Sequence, residues 1–290
     1  MSFDPSIHPH RRFNPLTGAW VIVSPQRAQR PWGGQVAEAL SPSLAYDADC
    51  YLCPGNERAG GILNPHYDST HVFTNDFAAL LPDMAVPAAA PAAEEIFRID
   101  AAVGECRVMC FSPRHDQALA NMTPVEMRCV VDLWRDQFAE LSERYAWVQI
   151  FETRGAIAGA SNPHPHGQVW ASEFLPDEAA SELDHQRRYH AAHGRHLLVD
   201  YAAREVELAE RIVAVNDHWI VAVPYWAYWP FETIVLPRRP VASLTGLTAD
   251  ESEALADILP TMLRAFDRVF DIAFPYCSGW HNAPRQHHDA

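Results

Sequence analysis

The stretch SNPHPHGQVW, residues 161–170, places His164, His166 and Gln168 two residues apart. A neutral imidazole is a nucleophile and a metal ligand near pH 7, so histidines at a regular spacing can do chemistry. In a strand, alternate side chains point to the same side, which predicts that these three share one face. Prolines flank the histidines and cannot donate to a sheet ladder, which indicates an edge strand or the entrance to a strand. The pattern favours a functional site, and a polar loop with solvated histidines is the alternative interpretation.

A second group of residues has the chemistry of a metal site. Cys50 and Cys53 form a C-x-x-C pair, whose spacing lets two thiolates bind one tetrahedral ion. A single pair of this kind is a metal half-site, a redox pair or a coincidence. No second C-x-x-C follows, and His115 and His164 are the best-placed candidates for the other two ligands. Together the four would form a closed Cys2His2 zinc site of the structural type, while a solvated loop residue is the alternative for His115.

Composition and charge exclude several classes of protein. The 290 residues carry a formal net charge of −15, which argues against general binding of nucleic acid through its phosphates. No run reaches the ~18 apolar residues that span a membrane, and the first residues lack the pattern of a signal peptide, so we expect a cytoplasmic protein. Six scattered cysteines do not form the framework of a disulfide-rich fold.

Two long segments with helical periodicity begin in the same way. Thr123 and Thr248 are each followed three residues later by a glutamate, Glu126 and Glu251, which predicts two helices that start with capping boxes. Pro260 is expected to kink the second helix. These helices must pack on a sheet, because the runs beside them are apolar and typical of strands: HVFTNDFAALLP, CRVMCFSP, WVQIFET, HWIVAVPYW, PFETIVLP and IAFPYCSGW.

Three other segments complete the prediction of elements. Residues 177–211 are polar and charged and are predicted to be helical. The aromatic residues at 225–229 are predicted to lie in the core. Residues 85–95, with the sequence AVPAAAPAAEE, indicate a flexible surface loop.

The two halves of the chain have the same predicted order of secondary-structure elements. Strand, strand, capped helix and strand recur in the same order, so residues 1–174 and 175–290 are predicted to form two related strand–helix units. The fold class is therefore α/β (α+β), with a mixed, largely antiparallel sheet and helices packed on it. Only the first copy continues into the strand with the histidines, so we expect the second unit to end before its last strand.

The chain resembles the galactose-1-phosphate uridylyltransferase family of the histidine-triad superfamily. The resemblance covers residues 7–284, and the pattern H-P-H-G-Q is its most specific part. The blocks that carry it are HPHRRFNPLTGAWVIVSPQRAQRPW, CYLC, VFTNDFAAL, SNPHPHGQVW, PYWAYWPFETIVLP and GWHNAP. It implies a histidine-triad-like fold and a homodimer.

The resemblance also implies a reaction. His166 matches the nucleophile, which attacks the α-phosphorus of UDP-glucose and expels glucose 1-phosphate. The uridylyl-histidine then passes UMP to galactose 1-phosphate, giving UDP-galactose in the Leloir pathway, with covalent catalysis. Gln168 occupies the position of a third histidine in the superfamily's hydrolases. Because an amide donates to phosphoryl oxygens but is no general acid, it favours a transferase.

Further roles are carried over position by position. Cys50, Cys53, His115 and His164 match the zinc ligands of the family. Thr153 stands where the family has an asparagine near the nucleotide, which alters one expected contact. The other residues that match positions around the nucleotide and its phosphates are Arg27, Arg30, Asn75, Asp76 and Ser161.

A second metal site of the family is matched only in part. Glu182 and His281 match two ligands of a site that usually holds iron, and the His-x-His pair that completes it is not found. His287 and His288 are adjacent, and adjacent strand residues point to opposite faces, so they are poor substitutes. The alternatives to a working transferase are a truncated, poorly active or nucleotide-binding relative, and a related nucleotidyltransferase or phosphorylase of the superfamily.

Overall fold

The strands form three sheets in the computed structural model, which describes residues 3–29, 44–84 and 96–285. One sheet has five strands in the order β10-β5-β6-β4-β3, a second has the order β7-β8-β9, and β1 pairs with β2. The strands are β1 His10–Phe13, β2 Trp20–Val23, β3 His71–Thr74, β4 Gly104–Cys110, β5 Trp147–Arg154, β6 His166–Ser172, β7 Ile212–Val215, β8 Trp219–Ala222, β9 Ile234–Pro237 and β10 Tyr276–Trp280. The helices are α1 Pro124–Ser142, α2 Asp177–His193, α3 Leu197–Leu208 and α4 Ala249–Phe270.

All pairs of these strands are antiparallel, and the described residues contain one isolated parallel bridge, between Leu81 and Val103. The predicted α/β class with a largely antiparallel arrangement is confirmed. Strand β10, from the second half of the chain, pairs with β5 and so extends the sheet of the first half. The division into units at residues 174 and 175 stays a prediction.

The strand with the histidines lies in the middle of the five-stranded sheet. Strand β6 pairs with β4 on one side and with β5 on the other, so the prediction of an edge strand is wrong. Pro163 and Pro165 precede the strand, and the prediction of a strand entrance is correct. His164 also precedes β6, so only His166 and Gln168 of the three residues stand at alternate positions within the strand.

Both predicted capping boxes are formed. Thr123 Oγ1 accepts a hydrogen bond from the Glu126 N–H at 3.3 Å, and Glu126 Oε2 accepts one from the Thr123 N–H at 2.8 Å. Thr248 and Glu251 make the same exchange at the start of α4. Helix α4 continues through Pro260 without a break. The predicted helical region at 177–211 is confirmed as α2 and α3.

The largest apolar core lies between the five-stranded sheet and helices α1 and α4. It joins residues from both halves of the chain, among them Trp134 and Phe138 of α1, Trp219 of β8 and Leu255 of α4. The aromatic segment at 225–229 does not enter a core as a whole. Trp226 is buried, but three of the aromatic side chains are exposed: Tyr225, Tyr228 and Trp229.

Three sequence predictions fall on residues that the structure does not describe: the contact of Arg30, the loop 85–95 and the pair at 287–288. All six cysteines are described and are free. In the described ranges, no helix has the length and apolar character needed to cross a membrane.

Candidate active site and metal centre

Strand β6 separates a chemical face from a core face. His166, Gln168 and Trp170 lie on one side, while Gly167, Val169 and Ala171 alternate with them and are buried. The glycine is required by a close approach: a Cβ atom there would lie 2.6 Å from Phe111 Cζ and 2.8 Å from the Phe151 carbonyl oxygen. The small residue therefore lets the strand sit directly on the core beneath it.

The tautomer of His166 follows from its hydrogen bond. His166 Nδ1 lies 2.7 Å from the carbonyl oxygen of His164, which can only accept, so Nδ1 carries the proton and donates it. Nε2 is then left with a free lone pair. Burial lowers the pKa of His166, the hydrogen bond to His164 opposes this, and the net shift keeps the ring neutral. A neutral ring with a free Nε2 can act as a nucleophile.

His166 lines a small cleft that is open to solvent. Two of the other side chains predicted to lie near a nucleotide, Thr153 and Ser161, line the same cleft, as does Gln168. Thr153 Oγ1 lies 3.3 Å from the sulfur of Cys277 on β10. The remaining lining residues, which sequence reasoning did not single out, are Phe151, Gly159, Ala160 and Gly167.

The other predicted nucleotide contacts are placed differently. Asn75 Nδ2 donates to Gln168 Oε1 at 3.2 Å, so it joins the site through that side chain. The carboxylate of Asp76 forms an ion pair with Arg58 at 2.8 Å. Arg27 is exposed in the 3-10 helix Pro25–Gln29 and is not among the residues that line the cleft.

The four predicted metal ligands come together in a buried cluster. The ligand atoms of Cys50, Cys53, His115 and His164 all lie within 4.8 Å of one another. Cys53 Sγ is 3.7 Å from His115 Nδ1 and 3.6 Å from His164 Nδ1. Tetrahedral zinc, with Zn–S of about 2.3 Å and Zn–N of about 2.0 Å, separates sulfur and nitrogen ligands by roughly 3.5 Å. The cluster therefore has the size and the donor atoms of a tetrahedral metal site.

Neighbouring groups orient these ligands. His164 Nε2 donates to the carbonyl oxygen of Ser112 at 2.9 Å, which leaves the Nδ1 lone pair pointing at Cys53. Asn162 Nδ2 and the Leu52 N–H donate to Cys50 Sγ at 3.5 and 3.4 Å. Sequence reasoning missed these supporting residues. The position of Asn162, two residues before His164, is the one local signal, since an Asx turn here places its Oδ1 against the His164 N–H at 2.9 Å.

The protonation states of the cluster depend on a cation. Burial raises the pKa of Cys53 to about 11, so in a metal-free protein the thiol keeps its proton at neutral pH. Burial lowers the pKa of His164 to about 4, so its ring is neutral, as a metal ligand must be. The buried thiol of Cys53 is therefore stable as a thiolate at neutral pH only when a cation neutralises its charge.

Glu182 and His281 also lie together. His281 Nδ1 is 2.7 Å from Glu182 Oε2, and this hydrogen bond raises the pKa of His281. In the part of the chain that the structure describes, the only group of three or more Cys, His, Asp or Glu ligands is the Cys2His2 cluster. Glu182 and His281 therefore form a two-residue pair among the described residues.

The site places a neutral histidine on a central strand, at a polar cleft and next to a buried Cys2His2 cluster. This arrangement defines a class of α/β protein with a candidate nucleophile on a strand beside a candidate metal centre. Comparison with known proteins identifies the family. The models for the N-terminal and C-terminal domains of galactose-1-phosphate uridyl transferase match residues 1–176 and 182–290. The chain thus belongs to the galactose-1-phosphate uridylyltransferase family, and the resemblance inferred from the sequence is confirmed.

Individual relatives agree with this assignment. A galactose-1-phosphate uridylyltransferase of Haemophilus influenzae is 51% identical over 285 residues, which cover 97% of this chain and 80% of the relative. One of Rattus norvegicus is 48% identical over 284 residues, covering 98% of this chain and 74% of the relative. A solved uridylyltransferase structure aligns with a TM-score of 0.72 at 26% identity, over 94% of this chain and 81% of that one.

Proposed function

We propose that this protein transfers UMP from UDP-glucose to galactose 1-phosphate through a covalent intermediate on His166. The observation that carries the proposal is the fixed tautomer of His166, whose Nδ1–H is held by the His164 carbonyl while Nε2 is free beside the cleft. Membership of the family supports the choice of substrates. The product pair is glucose 1-phosphate and UDP-galactose.

Two displacements at phosphorus make up the reaction. The Nε2 lone pair attacks the α-phosphorus of UDP-glucose, an N–P bond forms, and the P–O bond to glucose 1-phosphate breaks with its electron pair on that oxygen. A phosphate oxygen of galactose 1-phosphate then attacks the same phosphorus, and the N–P bond breaks to regenerate the neutral imidazole. No proton need be supplied to either leaving group, because a sugar phosphate departs as a stable anion.

The other site residues bind and orient in this proposal. Gln168 donates from its amide to the oxygens of the transferred phosphoryl group. Ser161 and Thr153, which line the cleft, would contact the nucleotide. Asn75 joins the site through Gln168, and Asp76, which is paired with Arg58, is the remaining candidate contact. Arg27 and Arg30 supply positive charge for the phosphates.

Zinc is the metal that the Cys2His2 cluster fits best, because thiolates and imidazoles are its ligands and the sulfur–nitrogen distances are those of a tetrahedral site. With four protein ligands, a bound ion would have no open position and would stabilise the structure. His164 would be a ligand, and its carbonyl oxygen accepts the hydrogen bond of His166. A bound ion would thus fix the residue that orients the nucleophile. Glu182 and His281 are candidate ligands for iron, at a site for which the described residues supply two ligands.

A homodimer and a cytoplasmic location are also proposed, on the basis of the family. The exposed apolar side chains Phe13, Trp20 and Ile22 on the β1–β2 hairpin offer a surface that a second copy could cover. Sedimentation at several protein concentrations tests the oligomeric state.

Intact-protein mass spectrometry after incubation with UDP-glucose alone tests the proposed function. The zinc-loaded protein is expected to gain the mass of one uridylyl group and to release an equal amount of glucose 1-phosphate. His166→Ala, as the control, should show neither. A zinc-loaded wild-type protein that gains no mass would contradict the covalent mechanism. Adding galactose 1-phosphate to the labelled protein should remove the label and form UDP-galactose.

A further inference from the structure

The side-chain amide of Gln168 is held from two sides. Its Oε1 accepts a hydrogen bond from Asn75 Nδ2 at 3.2 Å and a second from Trp170 Nε1 at 3.1 Å. Trp170 is the next residue on the same face of β6, so its indole reaches back along the strand to the amide. Among the described residues, both hydrogen bonds of the Gln168 side chain are accepted by Oε1. The N–H groups of the amide are therefore available to a ligand.

The donors determine which way round the amide lies. An indole N–H can only donate, so the amide atom that it contacts must be the oxygen. Asn75 is fixed by the same logic, because its Oδ1 accepts from the backbone N–H of Phe77 at 2.9 Å and its Nδ2 is therefore the atom that faces Gln168. The Phe77 N–H and the indole N–H of Trp170 can only donate, and they lie at the two ends of this hydrogen-bond chain. Together they fix the orientation of both side-chain amides between them, those of Asn75 and Gln168.

Trp170 is itself held in place. Its ring packs edge-to-face on Phe151, with the centroids 5.5 Å apart and an interplanar angle of 83°. Phe151 is the cross-strand partner of Gln168 and lines the cleft. The indole is 37% exposed, so packing at the core does not account for its orientation. The hydrogen bond from its indole N–H to Gln168 Oε1 accounts for the orientation of this partly exposed side chain.

We propose that Trp170, together with Asn75, is a positioning residue that fixes the Gln168 amide with its N–H groups toward the phosphoryl group that His166 receives. The proposal rests on the proposed function. An amide that rotates by half a turn presents its oxygen to the anionic phosphoryl oxygens, which repel it. Two hydrogen bonds to Oε1 exclude that rotamer before the substrate binds, which is preorganisation of the transition-state contact.

Trp170→Phe tests the proposal, because phenylalanine keeps an aromatic ring against Phe151 and removes the N–H. The rate constant for uridylylation by UDP-glucose should fall about three- to tenfold, which is the loss expected for one neutral hydrogen bond. Trp229→Phe is the matched control on an exposed tryptophan outside the site and should react at the wild-type rate. If Trp170→Phe does not fold, Asn75→Ala removes the other donor and takes its place in the same measurements.

A double-mutant cycle separates positioning from a general structural effect. In a Gln168→Leu background, which has no amide to orient, Trp170→Phe should cause no further loss of rate. Equal losses in both backgrounds would overturn the proposal. So would a wild-type rate in Trp170→Phe, provided that the wild-type protein is labelled. An unlabelled wild-type protein would instead overturn the proposed function, and the inference with it.

A second readout is stereochemical. UDP-glucose with sulfur in place of one non-bridging oxygen on the α-phosphorus exists as two diastereomers, and sulfur accepts hydrogen bonds weakly. The wild-type protein should prefer the diastereomer that keeps oxygen toward the Gln168 amide, and Trp170→Phe should reduce this preference several-fold. An unchanged preference would show that the tryptophan does not act through the amide.

Discussion

At the scale of single residues, the site depends on how closely β6 approaches the core. Gly167 stands between His166 and Gln168, and its missing side chain makes room for the ring of Phe111. Because alternate residues face opposite sides, any shift of Gly167 away from the core moves both neighbours at the cleft. His166 and Gln168 are thus positioned by a residue that lies between them on the opposite, core-facing side of the strand.

Gly167→Ala is therefore expected to damage both stability and activity. A Cβ at 2.6 Å from Phe111 Cζ and 2.8 Å from a backbone oxygen forces a displacement, which should cost about 1–3 kcal/mol of unfolding free energy. Denaturant unfolding and the rate of uridylylation measure the two effects. Gly246→Ala is the control, since its Cβ would meet nothing closer than 3.5 Å. Adding Phe111→Leu should recover part of the stability, and an unperturbed Gly167→Ala protein would contradict this account.

At the scale of elements, the pairing of β5 with β10 encloses a carboxyl group. Glu152 of β5 is buried, and Tyr276 of β10 donates to its Oε2 at 2.9 Å. Arg154 lies nearby but is paired with Asp267 of α4 at 2.8 Å. Burial raises the pKa of Glu152 to about 7, and the Tyr276 hydrogen bond and the Arg154 charge only partly oppose this.

The raised pKa of Glu152 predicts a pH dependence of stability. Below about pH 4.5, the Glu152 carboxyl is protonated in both the folded and the unfolded state. Between pH 4.5 and 7, it loses its proton in the unfolded state but keeps it in the folded state. The unfolding free energy therefore falls as the pH rises through this window. Glu152→Gln cannot ionise and should gain stability relative to the wild type across this window, by up to about 3 kcal/mol. Urea unfolding at several pH values measures it. Glu253→Gln, on the exposed face of α4, should follow the wild-type profile, and a constant difference for Glu152→Gln would refute the assignment.

At the scale of the whole molecule, the Cys2His2 cluster ties together three distant segments. It joins the loop with Cys50 and Cys53 to the turn after β4, which carries His115, and to the entrance of β6, which carries His164. Each segment borders the chemical face of the sheet. A metal ion here would hold the first two segments against the entrance of β6.

Removing the metal should therefore loosen the fold and the site together. Metal analysis is expected to find one tightly held zinc ion per chain, because among residues 3–29, 44–84 and 96–285 only Glu182 and His281 come together as ligands for a second. A strong chelator or Cys53→Ser should lower the unfolding free energy by several kcal/mol and slow uridylylation, since metal binding free energy adds to folding. Cys129→Ser, at a cysteine outside the cluster, should keep its zinc. Two tightly held ions per chain, or unchanged stability after chelation, would count against this prediction.

Local sequence signals determined the elements of this protein and the identity of its reactive groups. The two Thr–Glu capping boxes specified where α1 and α4 begin, because the groups that satisfy a helix start lie within three residues of one another. The C-x-x-C pair and the H-P-H-G-Q segment indicated the candidate metal ligands and the candidate nucleophile, because few side-chain types can bind zinc or attack phosphorus and their spacing can be read from the sequence. The short hairpin β1–β2 was missed, because its strands have only four residues each and the polar HRRF of β1 has no strand pattern, although WVIV of β2 is apolar.

Tertiary structure decided what those groups contact. Asp76 and Arg58 are 18 residues apart, and their pairing depends on how a loop meets the end of β3, which no local pattern encodes. Trp226 is likewise buried by residues far along the chain, Leu16, Val21 and Leu197, whereas Trp229, three residues later, is exposed. The spacing in the sequence predicted that Gln168 and His166 share one face of the strand. Only the tertiary structure showed that hydrogen bonds from Trp170 and Asn75 orient the Gln168 amide. The reason is physical: which atom of an amide faces a substrate depends on partners that converge in space from separate strands.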